Sequence, residues 1–198
     1  MSSEIKDLLQ AEANAILNIP VSETFNEAVN LIYDAVHINK GKLIASGIGK
    51  AGQIALNIAT TLSSTGTPAV FLHSADAQHG DIGVIQQNDV LLLISNSGKT
   101  REILELVELS RRIYPQIQFI VITGNPTGPL TEVTDIVIFT GNPEEICPLG
   151  LTPTTSTTTM TVIGDILVVL LMKKIRYSAQ DYAKRHHGGY LGEKSRNL

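Results

Sequence analysis

Five short apolar runs recur along the chain, each followed by a stretch with helical spacing, and this alternation constrains the fold more than any other feature. The runs are KLIAS, AVFLH, DVLLLIS, FIVIT and IVIFT. Runs of this kind, apolar at nearly every position, are typical of strands buried on both faces in a parallel sheet. Because crossovers between parallel strands are right-handed, the pattern predicts a doubly wound α/β sandwich with helices on both sides of the sheet.

Helical patterns flank these strands. Two precede them, at about residues 4–18 and 22–37, and two follow, at about 155–175 and 178–185, before a polar tail. The helix near 155–175 is apolar on most faces, so we expect it at a subunit interface or beneath the sheet. We predict one domain, with N-terminal helices over 1–38, an α/β core over 39–176 and a C-terminal helix and tail over 177–198.

Composition excludes several kinds of partner. The net charge is −4 and the basic residues are scattered, so we expect neither a nucleic acid nor a membrane surface as partner, and a small ligand instead. The first residues, MSSEIKDLLQAE, lack the basic and apolar pattern of a secretory signal. The longest apolar run, 160–172, is too short to cross a bilayer. Cys147 is the single cysteine, which excludes an internal disulfide and fits a reducing compartment, so we expect a cytoplasmic protein.

The segment LLLISNSGKTRE ends in a Gly-Lys-Thr sequence that resembles the end of a triphosphate-binding P-loop. That loop requires a glycine five residues before Gly98, where this chain has Leu93 inside the predicted strand. Only two residues separate Ser95, at the strand end, from Gly98. A loop long enough to wrap a β-phosphate therefore cannot form here.

A second glycine pattern, GIGKAG at 47–52, satisfies the G-x-G-x-x-G spacing of dinucleotide-binding proteins. Those proteins also place an acidic residue near the end of the second strand, where it binds a ribose hydroxyl. This chain has His73 and Ser74 at that point, with Asp76 further out. A nicotinamide cofactor is therefore disfavoured.

Both helix starts next to these glycines carry basic residues. They are Lys50, Lys99 and Arg101. Helix N-termini carry partial positive charge, so cations there are unfavourable unless an anion lies beside them. Three hydroxyl groups, those of Ser95, Ser97 and Thr100, lie beside the amides around Gly98 and could bind one phosphate group. The alternative is that these polar residues form ordinary helix caps and turns while the cations extend into water.

Five segments together resemble one family. They are GIGKAGQIA (47–55), STGTPAVFLHSADAQHGDIG (64–83), ISNSGKTREI (94–103), PEEICPLGLTPTTSTTT (143–159) and RHHGGYLG (185–192). In this order they resemble the sugar isomerase (SIS) domain family and, within it, the arabinose 5-phosphate isomerases. The resemblance implies a five-stranded parallel sheet in flavodoxin-like order and a homotetramer.

The resemblance also implies an activity. Members of this branch interconvert D-ribulose 5-phosphate and D-arabinose 5-phosphate through an enediol, without a cofactor, and so feed Kdo synthesis for lipopolysaccharide or capsule. Such a reaction needs a base, an acid and a cation near the developing oxyanion. Two alternatives stay open: an isomerase of another sugar phosphate, and a sensor that binds a sugar phosphate without catalysis.

The resemblance assigns roles to particular residues. The implied catalytic set is Lys50, Glu102, Glu145 and His186. Lys50 would stabilise the enediolate oxygen, and His186 would serve acid/base chemistry or ring opening and could act in a neighbouring subunit's cleft. The implied substrate-binding set is Ser46, Gly47, Gly49, Gly66, Thr67, His79, Ser95, Asn96, Ser97, Gly98, Lys99 and Thr100. The hydroxyls of 154–156 either cap the long helix or line the sugar site, with capping favoured.

Three further expectations follow from the resemblance. His73 and His79 could hold a metal, since some relatives bind zinc at the position of His73. We expect inhibition rather than catalysis there, because two histidines form no closed zinc site. The chain shows no CBS modules, so we expect a catalytic module alone and any feedback ligand such as CMP-Kdo to bind in the cleft. Lys99 and His187 depart from the usual S-N-S-G-E and H-P-G-G motifs, and Lys99 could strengthen anion binding.

Overall fold

The computed structural model describes residues 2–196 and contains one sheet of five parallel strands. The strands are β1 (Leu43–Gly47), β2 (Ala69–His73), β3 (Val90–Ile94), β4 (Gln118–Thr123) and β5 (Ile136–Phe139). Their order is β2-β1-β3-β4-β5, and every neighbouring pair is parallel. The predicted α/β class, the strand number and the flavodoxin-like order are confirmed.

Helices cover both faces of this sheet. They are α1 (Ser2–Leu17), α2 (Thr24–Tyr33), α3 (Lys50–Ser64), α4 (Ser74–Ala77), α5 (Arg101–Ile113), α6 (Pro129–Glu132), α7 (Thr155–Lys174), α8 (Ala179–Arg185) and α9 (Gly189–Arg196). A π-helical turn at Asp34–Ile38 prolongs α2, and a 3₁₀ turn lies at Asp81–Val84.

Alternate residues of the central strands pack into two separate hydrophobic cores, because successive side chains of a strand point to opposite faces of the sheet. Leu43 and Leu92 pack with α2, α3 and α7 in one core. Ile44 and Leu93 pack with α5 and α6 in the other. All of β1 and β3 is buried, which explains why both strands are apolar without alternation.

Helix α7 lies in the first of these cores. By length and composition it could cross a membrane, yet half of its apolar window is buried within the domain. It packs against α3 so closely that a Cβ on Gly164 would lie 2.5 Å from Ile58. Of the two expected placements, burial within the domain is thus observed for one side of this helix, while Ile166 and Val169 stay exposed.

The C-terminal segment differs from the polar tail that the sequence predicts. Helix α8 begins at a capping box formed by Ser178 and Asp181, and a further helix, α9, follows it. A Cβ on Gly192 would lie 2.1 Å from the carbonyl oxygen of His186. The absence of a side chain at this glycine lets α9 pack directly on the end of α8, a tertiary contact that the polar composition does not reveal.

Candidate functional site

A cleft of about 600 Å³ opens at the carboxyl ends of the strands. It spans the loops that follow β1, β3, β4 and β5 and includes the point where the chain leaves β1 and β3 in opposite directions, which is where ligands bind in open α/β sheets. Its lining consists of Ile48, Lys50, Ala51, Ile94, Ser95, Asn96, Ser97, Lys99, Thr100, Gly124, Asn125, Pro126, Asn142, Pro153, Ser156, Thr157 and Met160.

The loop after β3 forms a short turn rich in hydroxyl groups. The Ser95 and Thr100 hydroxyl oxygens lie 2.8 Å apart, and the Gly98 N–H donates to the Ser95 carbonyl over 3.2 Å. Gly98 has φ +62°, a left-handed conformation that glycine adopts without strain. The Lys99 N–H donates to the Ser97 hydroxyl over 3.2 Å. This compact turn matches the predicted single-phosphate loop and is too short for a P-loop.

The segment after β4 braces this turn from one side. The Asn96 carbonyl accepts hydrogen bonds from the Gly124 N–H (3.1 Å) and the Thr123 hydroxyl (3.3 Å). The Asn125 carboxamide donates to the Ser97 carbonyl over 2.8 Å. Because three hydrogen bonds from β4 and the residues that follow it fix its backbone, the turn is preorganised to bind a ligand.

The same four residues, Thr-Gly-Asn-Pro, occur at the carboxyl end of β4 (123–126), whose last residue is Thr123, and directly after β5 (140–143). Asn142 of the second tetrapeptide lines the cleft and has φ +49°. Its N–H donates to the Thr140 hydroxyl over 3.3 Å, as the Asn125 N–H does to the Thr123 hydroxyl over 3.1 Å. The sequence predictions missed both asparagines, although the repeated tetrapeptide at two strand ends is a visible signal.

The charges on the cleft wall have one sign. Of the described residues that line the cleft, only Lys50 and Lys99 are charged. Lys50 is exposed and is the first residue of α3, directly after Gly49, whose φ is +60°. Two ammonium groups facing the same space as the hydroxyl turn make the cleft complementary to an anion such as a phosphate.

Glu145 fixes the part of the cleft wall that the start of α7 forms. Its carboxylate accepts hydrogen bonds from the Thr154 N–H (2.7 Å), the Thr154 hydroxyl (2.9 Å), the Ser156 N–H (3.2 Å) and the Ser156 hydroxyl. Burial alone would raise the pKa of this carboxyl, but the four hydrogen bonds together outweigh it, so the pKa is lowered. Glu145 is therefore charged at neutral pH and holds Ser156, which lines the cleft.

Three other predicted residues lie outside the cleft lining. Glu102 is half-buried in the first turn of α5. His79 is exposed, and its N–H donates to the Asp76 carbonyl over 2.8 Å. His186 ends α8 and stacks on the Tyr182 ring with centroids 3.7 Å apart. Of the four predicted catalytic residues, only Lys50 lines the cleft within the described chain. Glu145 does not line it but binds Ser156, which does.

Four of the predicted substrate-binding residues do not line the cleft of the described chain. The Ser46 hydroxyl is buried and donates to the Leu72 carbonyl over 2.5 Å. A Cβ on Gly47 would lie 2.8 Å from the backbone of α3, so this glycine serves packing. Gly66 and Thr67 precede β2, at the opposite edge of the sheet, and Thr67 is fully buried. Gly49 acts through the left-handed turn that starts α3.

The predicted zinc ligand, His73, lies at the end of β2. Its Nδ1 atom is buried without a hydrogen-bond partner, 3.8 Å from an Asp76 carboxylate oxygen. Within residues 2–196 no group of three or more histidine, cysteine, aspartate or glutamate side chains could hold a metal ion. Zinc normally takes at least three protein ligands, so one copy of the described chain does not fit this ion.

The fold, the hydroxyl turn and the cationic cleft together define an anion-binding α/β module. The chain belongs to the SIS domain family, whose model matches residues 38–170. A solved structure from Bacteroides fragilis, described as a candidate phosphosugar isomerase involved in capsule formation, is 60% identical. Its TM-score is 0.94, and the match covers 96% of this chain and 99% of that one. A structure from Escherichia coli CFT073 in complex with arabinose 5-phosphate is 32% identical, with a TM-score of 0.85 and coverage of 92% and 95%.

Among curated proteins, the arabinose 5-phosphate isomerase KdsD of Yersinia pestis is 41% identical over 191 residues. The match covers 96% of this chain and 56% of the relative, so the chain spans about half the length of the curated relatives it matches. The predicted family and its arabinose 5-phosphate isomerase branch are confirmed.

Proposed function

We propose that the chain is an aldose–ketose isomerase that interconverts D-arabinose 5-phosphate and D-ribulose 5-phosphate. The observation that carries this proposal is the meeting of the hydroxyl turn with Lys50 and Lys99 in one cleft that no carboxylate lines among the described residues. The names of the relatives support the substrate: arabinose 5-phosphate isomerase for the curated proteins, and arabinose 5-phosphate as the ligand in the Escherichia coli complex.

From the cleft geometry we propose an orientation for the substrate. The phosphate binds at the turn 95–100 after β3, where hydroxyls, backbone amides and Lys99 donate hydrogen bonds. Lys50 follows the neighbouring strand β1 and lines the same cleft, so we propose that the carbon chain extends towards it. Lys50 thereby meets the oxygens on C1 and C2.

The reaction then moves one proton from C2 to C1 and another between the two oxygens. Removal of the C2 proton leaves an enediolate, and the Lys50 ammonium stabilises the negative oxygen. We assign the proton transfers to Glu102 and His186, which lie outside the cleft of their own copy. His186 lies between α9 and α8, which has no buried residue, so we propose that it acts in the cleft of a neighbouring subunit of a homotetramer. Glu145 fixes Ser156 and the start of α7, which form another part of the cleft wall.

We further propose that the product feeds Kdo synthesis for lipopolysaccharide or capsule in the cytoplasm and that no cofactor is required. An end product such as CMP-Kdo would bind in the same cleft, because its phosphate would compete for the same donors. Competition kinetics with D-arabinose 5-phosphate as the varied substrate test this, and purely noncompetitive inhibition would contradict it.

The activity is tested with purified protein and a panel of pentose and hexose phosphates. We expect D-arabinose 5-phosphate to be converted and Lys50→Ala to lose at least about 100-fold in kcat, the typical effect of removing one group that stabilises an oxyanion. Lys40→Ala is the matched control, since Lys40 lies before β1, at the opposite edge of the sheet. Absence of turnover on the whole panel would reject an isomerase.

A second candidate function is a sensor that binds a sugar phosphate without converting it. It is favoured by one observation: Glu102, His79 and His186 do not line the cleft of the described chain. Binding of D-arabinose 5-phosphate by calorimetry without turnover would support the sensor, whereas turnover would exclude it.

A further inference from the structure

On the β5 side of the hydroxyl turn, two carboxamides meet over a glycine. A Cβ on Gly124 would lie 2.3 Å from Asn96 Oδ1 and 3.2 Å from Asn142 Oδ1, so only glycine lets both side chains approach here. All three residues line the cleft. Asn96 belongs to the turn after β3 and Asn142 to the loop after β5, so side chains from two different strand ends converge beside the phosphate-binding turn.

The two carboxamides differ from a third one in the same wall. The Asn125 carboxamide is engaged, since it donates to the Ser97 carbonyl over 2.8 Å and accepts from the Thr127 N–H over 3.1 Å. Within residues 2–196, the Asn96 and Asn142 carboxamides make no hydrogen bond. Their N–H donors are therefore available to a ligand in the cleft.

The backbone of Asn142 is held in an unusual conformation. Its φ of +49° lies in the left-handed region, which costs free energy for any residue other than glycine and is best tolerated by asparagine and aspartate. The other non-glycine residues with positive φ among the described ones, Lys40 and Arg176, do not line the cleft. Backbone strain retained at a cleft residue indicates that its side chain is held in place for a purpose.

The chemistry of the cleft indicates the ligand group. Asn96 lies between Ser95 and Ser97 of the hydroxyl turn, so a phosphate bound there is adjacent to Asn96 and, across Gly124, to Asn142. We propose that Asn142 is a substrate-binding residue that, with Asn96, donates hydrogen bonds to the substrate phosphate from the β5 side of the cleft. The assignment rests on the proposed function, because it takes the ligand to be a sugar phosphate.

Two substitutions of Asn142 test this assignment. Asn142→Gly removes the carboxamide and suits the left-handed backbone, so the fold persists. Asn142→Asp keeps the size and tolerance of this backbone but places a negative charge beside the phosphate. Lys40→Gly is the control, since it changes a left-handed residue (φ +62°) outside the cleft.

The readouts are the Kd of D-arabinose 5-phosphate and of inorganic phosphate by calorimetry, together with KM and kcat. For Asn142→Gly we expect Kd and KM to rise about 3- to 10-fold, the effect of one lost hydrogen bond, with kcat within about twofold of the parent. For Asn142→Asp we expect a rise of at least about tenfold, since repulsion adds to the lost donor. Lys40→Gly should bind as the parent does.

The assignment is overturned if both Asn142 variants bind phosphate and D-arabinose 5-phosphate as tightly as the parent. It is also overturned if Asn142→Gly lowers kcat while Kd is unchanged. Failure of the proposed isomerase activity is distinguishable: the parent would then bind D-arabinose 5-phosphate without turnover, while the weaker phosphate binding of the variants would still support the role of Asn142.

Discussion

Replacing Glu145 by glutamine removes the charge that holds the start of α7. The carboxylate accepts four hydrogen bonds, two from backbone N–H groups and two from hydroxyls. Glutamine retains one oxygen acceptor, and its NH₂ group cannot accept from the remaining donors. Loss of an N-terminal cap costs about 1 kcal/mol, and loss of a negative charge at a helix N-terminus adds about 0.3–1 kcal/mol. We therefore expect Glu145→Gln to lower the free energy of unfolding by about 1–2 kcal/mol at pH 7.

The effect should depend on pH with a defined sign. The pKa of Glu145 is lowered in the folded chain from its ordinary value of 4.5, because burial, which raises it, is outweighed by the four hydrogen bonds. Stability from a lowered carboxyl pKa is fully present above the unfolded value and is lost as the pH falls through the folded value. The difference between the parent and Glu145→Gln should therefore persist from pH 7 to about pH 5 and shrink below pH 4.5.

Urea unfolding of both proteins over this pH range measures the difference, and at this chain length it corresponds to roughly 2–8 °C in Tm. Glu144→Gln is the matched control, since Glu144 is exposed and makes no hydrogen bond among the described residues. The account of Glu145 is refuted if the two variants are equally stable at pH 7, or if the difference stays constant down to the acid limit of folding.

Three other perturbations have defined outcomes. Hydrogen bonds from the Thr152 hydroxyl and nearby N–H groups lower the pKa of the Cys147 thiol from 9.0 to about 6. The rate of its alkylation by iodoacetamide should therefore be half-maximal near pH 6, and a midpoint near pH 9 would contradict this. Asp89→Asn removes the buried carboxylate that lies 2.7 Å from the partly exposed Lys42 ammonium. Chemical unfolding should show a loss of about 3 kcal/mol, and a loss below about 1 kcal/mol would contradict this. Gly124→Ala should displace the Asn96 carboxamide and raise KM about 3- to 10-fold. The Tm should change little, because the displaced atoms are at the end of a flexible side chain. An unchanged KM would show that this carboxamide does not bind substrate.

The sheet could be predicted because its strands are apolar at nearly every position, a pattern that only burial on both faces explains. The hydroxyl turn could be predicted as well, since Leu93 excludes a longer loop and Ser95, Ser97 and Thr100 lie close in sequence. Both features depend on residues that are close together in the sequence, so the local sequence pattern is enough to predict them.

The rest of the site depends on contacts between distant segments. Asn142 approaches Asn96 only because β3, β4 and β5 are adjacent in the sheet. Glu145 reaches Ser156 only because the intervening loop returns to the start of α7. Helix α9 forms against α8 through the close approach at Gly192, which polar composition does not indicate. These contacts are determined by the order of the strands and the path of the loops. The residue types at these positions only weakly indicate which residues will be in contact.

The central claim is that this cleft converts an aldose phosphate to a ketose phosphate through an enediol, and one measurement tests it most directly. The protein is incubated with D-arabinose 5-phosphate in D₂O, and the sugar is followed by proton NMR. The account predicts that D-ribulose 5-phosphate forms and that the proton on C2 of the aldose is replaced by deuterium, with both changes lost in Lys50→Ala. An unchanged spectrum at a sugar concentration that calorimetry shows to saturate the protein would contradict it.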